Sequence, residues 1–132
     1  MQQPKHTILV IDDDIDFVQQ LQISLKAAGF AVRTAFGEQE AEQALREGRP
    51  DLVISDLMME HMDGGFVLCH RIKQQDPTIP VILTTAVTSA TGLRFDTISA
   101  DERSWVKADA ILAKPVRFEQ IIREIRRLLP EA

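Results

Sequence analysis

The sequence has one cysteine, one tryptophan and no tyrosine among its 132 residues. Cys69 has no second thiol to pair with and sits in none of the spacings of a metal or redox site. That fits a reducing compartment and a buried structural thiol rather than a reactive one. No apolar run approaches the roughly 20 residues needed to cross a bilayer. The start, MQQPKHTILVIDDD, has no charged region followed by a long apolar run, so it does not read as a signal peptide. A cytoplasmic protein without membrane contact is expected. Positive charge is also short: the net charge is −5, which argues against a nucleic-acid surface on this chain. The basic residues near the end are Lys114, Arg117, Arg123, Arg126 and Arg127. They read as the solvated face and last turn of a helix, where cations suit the helix dipole.

A hydrophobic fraction of 45% is ordinary for a globular chain with a real core. At this length about two-thirds of the unfolded surface can be buried, so no disulfide or metal staple is needed. The chain, 1–132, reads as one domain with its core at about 7–129.

Short apolar runs alternate with longer amphipathic stretches. Thr7–Ile11 is apolar and stops at Asp12, Asp13 and Asp14. Phe17, Val18, Leu21, Leu25 and Ala28 then recur at helical spacing until Gly29. Ala31–Ala35 predicts a strand, and Gln39 to Glu47 a polar helix with Ala41, Ala44 and Leu45 inward. Leu52–Ser55 is the next apolar run and meets Asp56. A turn at Met62-Asp63-Gly64-Gly65 leads into a helical pattern over Phe66–Lys73. Val81–Thr84 and Ala110–Ala113 predict two more strands, and Phe118, Ile121, Ile122, Ile125, Leu128 and Leu129 an amphipathic helix. Between the last two strands, Val87–Lys107 has weak periodicity and a glycine inside. It predicts an irregular fourth helix, with Trp105 anchored in the core. Five βα units of this kind imply an α/β three-layer sandwich, a flavodoxin-like (βα)5 fold with a parallel sheet in the order 2-1-3-4-5.

Ligands of open parallel sheets bind at the carboxyl ends of strands, beside the point where strand order reverses. Strands one and three are neighbours there, so Asp12, Asp13 and Asp56 should converge. Carboxylates packed together destabilise one another unless a cation joins them. All-oxygen ligands suit Mg²⁺. Helix capping accounts for Asp14 but not for the two acids before it. Thr85 at the end of the fourth strand offers a hydroxyl, and Lys114 at the end of the fifth an ammonium. An acceptor carboxylate, a metal, a hydroxyl and a lysine are what phosphoryl transfer requires.

The segments ILVIDDD (8–14), DLVISDLMM (51–59), MDGG (62–65), VILTTA (81–86) and LAKP (112–115) resemble the receiver domain of bacterial response regulators in two-component signalling. The resemblance runs from about Thr7 to Leu129. It implies that Asp56 is the phosphoacceptor, taking its phosphoryl group from a phosphohistidine on a sensor histidine kinase or phosphotransfer protein. It implies Mg²⁺ (or Mn²⁺) held by Asp13, Asp56 and the backbone carbonyl of Met58, with Asp12 acting through an intervening water. Thr85 and Lys114 would each hold a phosphoryl oxygen, and the small Ala86 would leave the group accessible. The domain would be a signalling module with only slow autodephosphorylation, switching, and in some relatives dimerising, through its fourth helix, fifth strand and fifth helix.

Three positions depart from that pattern. Glu60 replaces a usual proline in the site loop, Ile111 replaces a usual aromatic at the switch position, and the stretch from Thr85 to Lys114 is longer than typical. Readout through the fourth helix rather than an aromatic rotamer is therefore expected. Two alternatives remain open. One is a receiver-like interaction module that takes no phosphate. The other is a haloacid-dehalogenase-type phosphatase with Asp12 as nucleophile and Asp14 as general acid, although this sequence lacks the acidic pair such enzymes carry after the lysine.

Overall fold

The computed structural model describes residues 6–57, 64–86 and 108–129, with 64–66 and 86 described by backbone alone. Its elements are β1 (Thr7–Ile11), α1 (Ile15–Ala27), β2 (Ala31–Ala35), α2 (Glu38–Glu47), β3 (Leu52–Asp56), α3 (Gly64–Gln75), β4 (Val81–Ala86), β5 (Ala110–Lys114) and α4 (Phe118–Leu128). The five strands form one all-parallel sheet in the order β2-β1-β3-β4-β5, as expected from the alternating pattern. The irregular helix expected over Val87–Lys107, and with it Trp105, lies outside the described residues.

The strands are short and apolar because both faces of the sheet are covered. Successive side chains point to opposite sides. Leu9, Ile11, Val53, Val81 and Leu83 pack with Ala41 and Ala44 of α2 and Leu68, Cys69 and Ile72 of α3. Ile8, Val10, Ile54 and Ile82 pack on the other face with Val18, Leu21 and Leu25 of α1 and Ile121 and Ile125 of α4. Each large aliphatic side chain so buried contributes about 2 kcal/mol of transfer free energy. Cys69 is a buried member of the first cluster, and burial pushes its thiol up to about 12, with Lys73 and Asp109 as smaller opposing influences. The expected structural role fits this position.

Local signals set the helix ends. The Asp14 side chain caps α1 by accepting from the Phe17 N–H at 3.2 Å. Gly29, at φ 100°, turns the chain out of α1 toward β2, a backbone conformation that side chains disfavour. Arg33 of β2 donates to the Gly48 and Ala44 carbonyls, satisfying the end of α2. Arg126 and Arg127 lie exposed in the last turn of α4, in keeping with the solvated helix end read from the sequence.

At the opposite end of the sheet from the aspartates, polar contacts tie the loops together. The Asp51 carboxylate accepts from the Thr7 N–H at 2.7 Å. Arg49 donates to Asp76 at 2.6 Å and to Thr78 at 2.9 Å. The Thr78 hydroxyl donating to Asp76, then Arg49 and the Thr78 N–H, hold the Asp76 carboxyl down at about 2. The carboxyl ends of the strands are thereby left to the site.

Candidate functional site

The strand order makes β1 and β3 neighbours, and register pairs Ile11 with Ser55 at their ends. One residue further along each strand stand Asp12 and Asp56. Asp12, Asp13 and Asp56 each present a carboxylate oxygen within 4.8 Å of the other two. Asp12 and Asp56 are buried, at 1% and 6% exposure, and Asp13 is exposed, so the cluster opens to solvent on one side.

Asp12 is held from three directions. Its backbone N–H donates to the Ala35 carbonyl at 3.1 Å. One side-chain oxygen accepts from the Asp14 N–H at 2.9 Å, and the other from Lys114 Nζ at 2.8 Å. The same ammonium lies 3.6 Å from Asp56 Oδ1 and 4.9 Å from the centre of the Phe17 ring. Burial on its own disfavours the charged amine. The hydrogen bond and charge of Asp12, then the charges of Asp56 and Asp14, outweigh it and hold Lys114 above the usual lysine range. Lys114 is therefore a fixed cation at neutral pH. Three carboxylates against one ammonium leave a residual double negative charge. A hard divalent cation with oxygen ligands has the charge and the donor preference to complete the set.

β4 closes the site on the far side of β3. Asp56 pairs in register with Thr84, and the Leu57 N–H donates to the Thr84 carbonyl at 2.7 Å. Thr85 is 3% exposed, and its Oγ1 has no hydrogen-bond partner among the described residues. A buried donor without an acceptor beside an anionic cluster is suited to an incoming anion. Ala86 ends β4 in register with Lys114. Ile111 is half-buried against the α2–α3 core, level with Leu83.

The structure thus brings together Asp12, Asp13, Asp56 and Lys114, with Thr85 and Ala86 on the adjoining strand end. Met58 and Glu60 lie outside the described residues.

A model of the family described as response regulator receiver domain matches residues 8–126. This chain belongs to that family, the receiver domains of two-component signal transduction. Among curated relatives, the probable transcriptional regulatory protein TcrX of Mycobacterium tuberculosis is 32% identical, over 93% of this chain and 49% of its own length. The DNA-binding dual master transcriptional regulator RpaA of Synechocystis is 33% identical, over 92% of this chain and 48% of its own. The chain spans about half the length of the curated relatives it matches.

Among solved structures, a two-component response regulator from Clostridium difficile aligns with a TM-score of 0.81 at 24% identity, over 96% of this chain and 97% of that one. That likeness is one of fold. The response regulator TrrA of Thermotoga maritima, solved in complex with Mg²⁺–BeF, aligns with a TM-score of 0.76 at 27% identity, covering 94% of this chain and 99% of that one. The comparisons lend no support to the phosphatase alternative. Asp14, its general acid, is engaged in capping α1.

Proposed function

We propose that the chain, 1–132 as a single receiver domain, is a phosphoacceptor in which Asp56 takes a phosphoryl group from the phosphohistidine of a sensor histidine kinase or phosphotransfer protein. The observation that carries this reading is the convergence of Asp12, Asp13 and Asp56 around the Lys114 ammonium. An oxygen of Asp56 attacks phosphorus as the phosphorus–nitrogen bond breaks, and the electron pair stays on the imidazole. Lys114 starts 3.6 Å from Asp56 Oδ1 and follows the negative charge as it moves out onto the phosphoryl oxygens. The Thr85 hydroxyl donates to one of those oxygens, and a small residue at 86 keeps the approach open.

Asp12, Asp13 and Asp56 would hold Mg²⁺ (or Mn²⁺), with the Met58 carbonyl as a further ligand by family resemblance. Bound there, the ion neutralises charge on the transferring group. Water attack on phosphorus later breaks the phosphorus–oxygen bond and returns the Asp56 carboxylate, a slow loss rather than an enzymatic turnover. Ile111 supplies no aromatic rotamer, so readout passes through the segment after β4 together with β5 and α4, the face on which a homodimer would also form. Glu60 adds a carboxylate to the loop after the acceptor. The setting is cytoplasmic; among the described residues no helix is long and apolar enough to cross a membrane.

The test is incubation with phosphoramidate or acetyl phosphate followed by intact-mass measurement. One phosphoryl group per chain in excess Mg²⁺, and none in chelator or in Asp56→Asn, is the expected result. A wild-type chain that stays unmodified would leave the interaction-module alternative standing.

A further inference from the structure

The Lys114 ammonium brings positive charge to the acidic cluster, but on a long tether. It ends β5, the edge strand of the sheet, and sits on a flexible four-carbon stem. Its side chain is 21% exposed. Asp12 accepts from it at 2.8 Å, and Asp56 Oδ1 lies at 3.6 Å. Both carboxylates belong to the set that would hold a divalent ion. An ion that takes their oxygens weakens their hold on the ammonium, by competition and by like-charge repulsion. A third neighbour is of another kind. Lys114 Nζ stands over the Phe17 ring, 4.9 Å from its centre, within the range of a cation–π attraction.

Phe17 is itself well anchored. Asp14 caps α1, and the N–H that its side chain accepts from is that of Phe17. The ring is half-buried against the core that includes Leu21 and Ile121, and it lines a groove with Val116 and Phe118. Packing alone accounts for an apolar side chain here, and leucine would satisfy it. Packing does not account for a ring placed under a cation. The face of an aromatic ring carries partial negative charge, so it attracts an ammonium. It has no net charge, and it offers no oxygen to a hard metal ion. Neither an ion nor a phosphoryl group would draw it away from Lys114. The ring is thus a partner that the ammonium keeps when its carboxylates are engaged elsewhere.

We propose that Phe17 is a positioning residue for the phosphoryl site: its ring face holds the Lys114 ammonium beside Asp56 and keeps it aimed at the phosphoryl oxygens once the carboxylates are occupied. The proposal rests on the phosphoacceptor reading above. Phe17 acts through Lys114 and not on the reacting atoms. In the unloaded protein Asp12 shares the task; on loading, the share of the ring grows. Affinity for a phosphoryl analogue reads that difference, because a contact equally strong in both states would cancel.

Fluorine withdraws electrons from a ring with little change of shape, which separates this role from packing. Phe17 is replaced by phenylalanines carrying one, two and three ring fluorines, and each protein is titrated by NMR with beryllofluoride in excess Mg²⁺. Affinity should fall stepwise with fluorine number, to about three- to tenfold below wild type at three fluorines, the scale of a partly buried cation–π contact. The fluorinated proteins should melt with wild type, since the ring still fills its place. A second readout needs neither metal nor phosphate. In the unloaded wild type the Lys114 ε-methylene protons should be shifted upfield by the ring current, and in Phe17→Leu they should return to the ordinary lysine position. Should Phe17→Leu fail to fold, the fluorinated series still decides. Affinity that stays flat across the series overturns the proposal while leaving the phosphoacceptor reading intact. So does an unshifted Lys114 signal in the wild type. A wild-type chain that binds no beryllofluoride overturns the phosphoacceptor reading itself.

Discussion

Replacing Asp56 by asparagine removes one charge from the cluster and almost no volume, so its effect on stability follows from charge. The nearest carboxylate oxygens of Asp12 and Asp13 lie within 4.8 Å of Asp56, a repulsion of about 3.5 kcal/mol each at an effective dielectric constant of about 20. The Lys114 ammonium at 3.6 Å attracts Asp56 by about 4.6 kcal/mol on the same scale. Repulsion wins by about 2 kcal/mol, and solvent around exposed Asp13 screens this to about 1 kcal/mol. Without divalent metal, Asp56→Asn should therefore melt about 3–6 °C above wild type for a domain of this size. In excess Mg²⁺ the order should reverse, because wild type gains binding free energy, about 2.7 kcal/mol at a hundredfold excess over Kd, and the variant has lost a ligand. The assay is thermal melting by circular dichroism at low ionic strength, in chelator and in Mg²⁺. A variant less stable than wild type in chelator, or an identical Mg²⁺-induced shift in both proteins, would refute the reasoning.

Cys69, raised by burial to about 12, should resist iodoacetamide at pH 8 in the folded protein and react once urea unfolds it; rapid labelling of the native chain would contradict its place in the core. Asp76 sits at about 2, below its ordinary value, so its stabilising contribution is present above the unfolded carboxylate value and is lost as pH falls through about 2. Urea midpoints of wild type and Asp76→Asn should differ at neutral pH and converge in strong acid, and a gap that widens on acidification would reverse the sign. Ile125 of α4 is fully buried against the sheet, so Ile125→Ala should cost about 2–5 kcal/mol in urea unfolding; a loss under about 1 kcal/mol would mean that α4 is not packed as described.

The order of elements was legible because each apolar run is bounded by a polar or turn residue, and the βα alternation leaves few topologies. The metal-type cluster was legible for a related reason: the acids stand at strand ends, and the 2-1-3-4-5 order brings those ends together. Strand ends themselves were less clear. The apolar runs stop at Ser55, Thr84 and Ala113, yet the ladder continues through Asp56, Ala86 and Lys114, because backbone pairing does not depend on side-chain polarity. Helix α2 starts at Glu38 and α3 spans Gly64–Gln75, each longer than its apolar periodicity suggested, because exposed polar residues extend helices without marking them.

The most direct test of the central claim is to locate the phosphoryl group. Wild-type protein is labelled with acetyl phosphate in Mg²⁺, the acyl phosphate is reduced with borohydride to mark its position, and the digest is sequenced by mass spectrometry. The mark should fall on residue 56 and vanish in Asp56→Asn. A mark on Asp12, or on any other carboxylate with Asp56 unmodified, would contradict the account.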